Sequence, residues 1–175
     1  MLYFILLQNK QGEFGVSIKI ILPLLLSLGF VGCASVPKAD PQAVQQQKKI
    51  QAPQAGQAGI YVYRSNSVVG AGLKKDIWVN GECLGETARG VYFYTEVEGG
   101  KTHIVSTESE FSPNHLNVTT QSGKNYYIQQ YIKPGVFVGG ANVKLVDETE
   151  GQQAIEKYSL AVGGKCSKLS IQLPK

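Results

Sequence analysis

From Gly59 onward apolar and polar residues alternate with a period of two, and that rhythm excludes most folds built on helices. GIYVYR opens the pattern, and glycine-bearing turns cut the remainder into short pieces. IWVNGECLGE carries Asn80-Gly81 between two such pieces. Both central positions of a type I′ turn need positive φ, so a hairpin is predicted there. VYFYTEV and KTHIVSTE around Glu98-Gly99-Gly100 predict a second hairpin, and HLNVTTQ with KNYYIQQYI across Ser122-Gly123 a third. NVKLVDE follows the glycine-rich link from Pro134 to Gly140. Helical character is first expected in QQAIEKYSLA, and SKLSIQLP reads as either a late strand or a loose tail. About seven or eight closely spaced strands predict an all-β fold, an antiparallel β-sandwich with a short C-terminal helix.

Alternation also sorts the side chains. Val91, Phe93 and Val97 fall on one face of their strand, and Tyr92 and Tyr94 on the other. Ile60 and Val62 alternate with Tyr61 and Tyr63 in the same way, and Ile128 with Tyr127. If the strands align, one sheet has an aliphatic face and a tyrosine face. The tyrosine face reads in two ways: as a platform for a glycan, peptide or partner protein, or as a second packed layer of the fold.

Ahead of this body the composition changes twice. Ile20 to Gly32, IILPLLLSLGFVG, is uncharged but too short to span a bilayer, which needs about 20 apolar residues. Lys19 precedes it and small residues flank Cys33, the arrangement of an export signal. Ala34 to Ala58 is rich in Gln, Ala, Pro and Lys and poor in large apolar groups. Such a stretch predicts a flexible tether with a reach of roughly 25–30 Å. The expected organisation is therefore a signal segment over 1–32, a tether over 33–58, a β-domain over 59–151, and a helix and tail over 152–175. Residues 1–15 add a second apolar patch and Glu13, which suggests that translation starts near Val16.

Phe30-Val31-Gly32-Cys33 resembles the lipobox of bacterial lipoproteins, with Phe30 where leucine is usual. The resemblance implies cleavage before Cys33 and a thioether-linked diacylglycerol on its sulfur. Each buried CH₂ contributes about 0.8 kcal/mol, so two or three acyl chains anchor where one binds marginally. Ala34 and Ser35, in place of an aspartate after the cysteine, imply the outer membrane facing the periplasm. The body resembles the bacterial lipoproteins grouped as domain of unknown function 2846. The matching stretches are GIYVYRSNSVVGAG, IWVNGECLGETARGVYFYTEVEGGKTHIVSTESE, SGKNYYIQQYI and VKLVDETEG, over most of 59–151. The V-N-G hairpin, followed later by Gly100 and His103, is also similar to PEGA-type β-modules, with Glu98-Gly99-Gly100 where related domains carry Pro-Pro-Gly. That family implies an envelope lipoprotein with a β-rich fold and no established activity.

Little else points to chemistry. The net charge of +4 is mild, Arg64 and Arg89 are the only arginines, and the lysines are scattered, which argues against nucleic-acid binding. His103 and His115 have neither the spacing nor the cysteine company of a metal site, and read as solvated strand residues. No G-x-S-x-G elbow is present. Glu96, Glu98, Glu108 and Glu110 read as a solvated face near one hairpin. Gly135 to Ala141 lacks the Lys-Ser/Thr of a phosphate loop. With Cys33 assigned to lipid, Cys83 and Cys166 are either a disulfide across the domain or two free thiols. The expectation is a non-enzymatic protein without cofactor or metal. It would be held to a membrane through Cys33 and engage an envelope protein or a cell-wall glycan. The alternative is an envelope enzyme or accessory subunit whose active groups assemble only in the fold.

Overall fold

The computed structural model describes residues 32–40, 42, 50 and 52–174. The predicted signal segment, the start near Val16, and Phe30 and Val31 of the lipobox lie outside these residues, as does most of 41–51. Cys33 to Lys175 form one compact unit.

Within the described residues from 52 onward, nine strands and a helix follow in order: β1 (Gln57–Arg64), β2 (Lys75–Val79), β3 (Glu82–Thr87), β4 (Val91–Glu98), β5 (Thr102–Thr107), β6 (Asn114–Thr119), β7 (Asn125–Lys133), β8 (Gly140–Val146), α1 (Glu148–Lys157) and β9 (Ser159–Leu160). They build two sheets, one ordered β8-β7-β1-β4-β9 and the other β3-β2-β5-β6. Most pairings are antiparallel, while β7 runs parallel to β1 and β9 parallel to β4. Ile60, Val62, Val97 and Ile128 from the first sheet meet Ile77, Val79, Val105 and Val118 from the second in the inter-sheet core.

Of the three predicted hairpins, one is a ladder. β2 and β3 pair around Asn80-Gly81, whose φ values of 53° and 86° are those a type I′ turn demands. The other two turns join strands of opposite sheets: β4 and β5 do not pair, and neither do β6 and β7. Their turns lie against each other instead. Gly100 N–H donates to the Thr120 carbonyl, and a Cβ on Gly99 would sit 2.5 Å from the Ser122 Cα. Close backbone packing requires glycine there, and sequence alone presents it as an ordinary hairpin turn.

α1 begins four residues before the predicted helical stretch. Asp147 is its N-cap, accepting from Glu150 N–H at 2.8 Å, and Glu148 and Glu150 complement the positive end of the helix. The expected boundary at 151 therefore cuts through the helix. The tether also differs from expectation at its start. Val36 is buried with Ala88, Val91, Phe93 and Ala161, Lys38 bridges Ala161, and Ala39 N–H donates to the Leu160 carbonyl. This short piece covers the open edge beside β9, where unpaired backbone groups would otherwise face solvent. At the other sheet the C-terminal tail does the same: Ser170 bridges Glu82, and Ile171 N–H donates to the Gly81 carbonyl.

Candidate functional site

Tyr61, Tyr63, Tyr92 and Tyr127 share one face of the five-stranded sheet, and α1 lies on them through Ala154 and Ile155. Each is no more than 3% exposed, so the face is a packed layer and not an open platform. Tyr61 stacks on Tyr127 with ring centroids 5.2 Å apart, and Tyr94, half-buried, tilts against Tyr61 at 4.5 Å. Gly151 permits the helix to come this close, because a Cβ there would fall 2.1 Å from the Tyr127 ring. Burial pushes the ionisation of all five phenols upward, and the Glu150 carboxylate adds to this at Tyr63, as Glu96 does at Tyr94. The ligand platform fails for a physical reason: helix and tyrosines together bury apolar rings that neither covers alone.

Cys83 and Cys166 are joined by a disulfide, with Cα atoms 6.0 Å apart. Around it the tail is held by Trp78 Nε1, which donates to the Lys168 carbonyl at 2.8 Å. The Asp76 carboxylate accepts from Ser167 N–H at 2.7 Å and from its hydroxyl.

The four carboxylates do not form one cluster. Glu96 and Glu98 border a shallow cleft of about 530 Å³ with Asn80, Lys101 and His103. Glu108 and Glu110 lie at the opposite end of the sandwich. His103 is buried, contrary to its reading as a solvated residue. Asn80 explains this: its Oδ1 accepts from Ile104 N–H, its Nδ2 donates to His103 Nδ1 at 2.9 Å, and His103 Nε2 donates to the Glu98 carbonyl at 2.8 Å. Both ring nitrogens are thus engaged in pinning two turns. Tyr94 donates to Glu96, and Lys101 pairs with Glu98 at 2.6 Å. His115 Nδ1 lies 2.7 Å from the Ser106 hydroxyl on the neighbouring strand. Among the described residues no three His, Cys, Asp or Glu side chains gather as a metal site would need, and no helix is long and apolar enough to cross a membrane.

Cys33 and Gly32 are exposed, and the Cys33 thiol is free. The next residue is fixed: Ala34 N–H donates to the Ala71 carbonyl at 3.0 Å. Beside Cys33 opens a hollow of about 630 Å³ whose lining includes Lys38, Asn66, Arg89, Lys157 and Tyr158. None of the three cations makes an ion pair among the described residues. This basic rim escaped the sequence reading because its members are scattered through the chain.

The family described as protein of unknown function (DUF2846) matches residues 54–141. The chain belongs to that family. An uncharacterized protein of Haemophilus influenzae is 48% identical over 139 residues, which is 79% of each chain. The DUF2846 match starts just before β1 and ends at the first residues of β8, so it takes in β1 to β7 but not most of β8, nor α1, β9 or the disulfide-bonded tail.

Proposed function

We propose that this DUF2846 protein is an exported, lipid-anchored envelope protein whose β-sandwich is a non-catalytic binding or structural module. The observation that carries the reading is the contrast among its cysteines. Cys83 and Cys166 are bonded to each other, whereas Cys33, next to an uncharged apolar run, is exposed and unpaired. A disulfide supports an oxidising compartment outside the cytosol. A free surface thiol there is chemically exposed, and thioether attachment of diacylglycerol both removes that reactivity and supplies an anchor. Ala34 and Ser35 favour the outer membrane, facing the periplasm. An envelope protein or a cell-wall glycan is the partner class.

The alternative, an envelope enzyme, would draw on the cleft of Glu96, Glu98 and His103. There both nitrogens of the histidine bond to Asn80 and the Glu98 carbonyl, Tyr94 donates to Glu96, and Lys101 pairs with Glu98, contacts that favour a structural role for these residues.

Cys33→Ser tests the anchor. The wild-type chain is expected in the membrane fraction after a high-salt wash, and the variant in the soluble fraction, since serine cannot form the thioether. Equal membrane retention of the two would sink the lipid anchor.

A further inference from the structure

We propose that the Cys33 end of the sandwich lies directly on the membrane, with three apolar loops in the headgroup region and Lys38, Arg89 and Lys157 against anionic phospholipid. This rests on Cys33 being the lipid anchor and adds the surface that the anchor brings to the bilayer.

Three connections meet at that end: residues 65–74, 108–113 and 134–139. Gly70 packs on Ile132 so closely that a Cβ would lie 2.5 Å away, and a Cβ on Gly139 would reach Leu73 at 2.8 Å. Arg64, buried, fastens the first loop by donating to the Leu73 carbonyl at 2.7 Å and to the Gly70 carbonyl. Glu110 fastens the third. Its carboxylate accepts from the backbone N–H groups of Val136 at 2.6 Å, Phe137, and Val138 at 3.1 Å. With three successive amides held inward, the loop presents its apolar side chains to solvent. Val68, Val69, Phe111, Val136, Phe137 and Val138 are all more than half exposed, Phe137 by 83%. Such a concentration is unusual for a surface left in water.

The occupant follows from where the chain enters. Ala34 N–H donates to the Ala71 carbonyl, within the first of these loops, so a lipidated Cys33 is the residue next to one bonded to that loop. An anchor fixed there cannot lift the domain away as a free tether would. The basic hollow beside Cys33 supplies charge of the sign that anionic headgroups attract. At the opposite end the turns carry exposed Asn80, Lys101, Gln121, Ser122 and Lys124, so the apolar and polar ends are distinct.

The test uses the lipidated full chain in vesicles of phosphatidylethanolamine and phosphatidylglycerol, with an environment-sensitive fluorophore on Phe137→Cys or, as the control, Gln121→Cys. Acylation of Cys33 and the Cys83–Cys166 bridge leave the introduced cysteine as the labelled thiol. The 137 probe is expected to be quenched by nitroxide-bearing acyl chains and shielded from iodide, and the 121 probe to show the reverse. Equal iodide access at both positions, with no acyl-chain quenching, overturns the proposal. So does a 137 probe open on vesicles but shielded in native membranes, which would give the surface to a protein instead. An intact mass without acyl chains overturns the anchor reading separately. In that case the same two positions are labelled in a Cys33→Ser chain added to vesicles from solution: a shielded 137 probe keeps the surface, and equal iodide access at both positions overturns it.

Discussion

Reduction of the Cys83–Cys166 bridge is expected to lower the unfolding free energy by about 4.5 kcal/mol in the chain-entropy account of a long closed loop. The sequence separation is 83 residues, so the unfolded chain gains a large conformational freedom when the bond is cut. The folded state changes little at first, because Trp78, Asp76 and the Ser170–Glu82 bridge still hold the tail. With a urea m-value of about 2 kcal/mol/M for a domain of this size, the midpoint should fall by about 2 M. Urea curves of the oxidised protein and of a Cys83→Ala/Cys166→Ala variant measure it. An unchanged midpoint would mean that the tail contributes nothing to the cooperative unit.

Raising the pH above that of ordinary phenol ionisation should unfold the domain steeply. Tyr61, Tyr63, Tyr92 and Tyr127 are buried beneath α1, and burial raises the pKa of each above its unfolded value. The stability tied to the neutral phenols is complete below the unfolded pKa near 10. It is lost as pH rises beyond that, because the unfolded chain releases protons that the folded chain retains. A phenol that stays neutral in the fold while the unfolded chain is ionised contributes up to about 1.4 kcal/mol per pH unit, so a few such groups remove an appreciable part of an ordinary domain's stability. Tyrosinate absorbance followed together with circular dichroism should show the buried phenols ionising in one step with loss of the fold. Gradual ionisation of every tyrosine in an intact fold would contradict the packed layer.

Period-two alternation made the two faces of the first sheet legible before any coordinates. Ile60, Val62 and Ile128 do point to one side of it and Tyr61, Tyr63 and Tyr127 to the other. What covers the tyrosines was not legible, because the covering helix starts at a capping aspartate inside what reads as a strand ending. The Asn80-Gly81 turn was readable because its φ requirement is local. The Gly99-Gly100 and Ser122-Gly123 turns were not, since the same residues serve a hairpin or a crossing between sheets. Val36 illustrates another limit. One valine in a polar stretch gives no periodic signal, yet a sheet edge with a small apolar gap is enough to dock it. The basic rim of Lys38, Arg89 and Lys157 is assembled only by the fold.

The most direct test of the account is the intact mass of the protein purified from membranes. A chain beginning at Cys33 and carrying acyl chains is the predicted result. An unlipidated chain that retains the residues before Cys33 would contradict it, and Cys33 would then be an ordinary surface thiol.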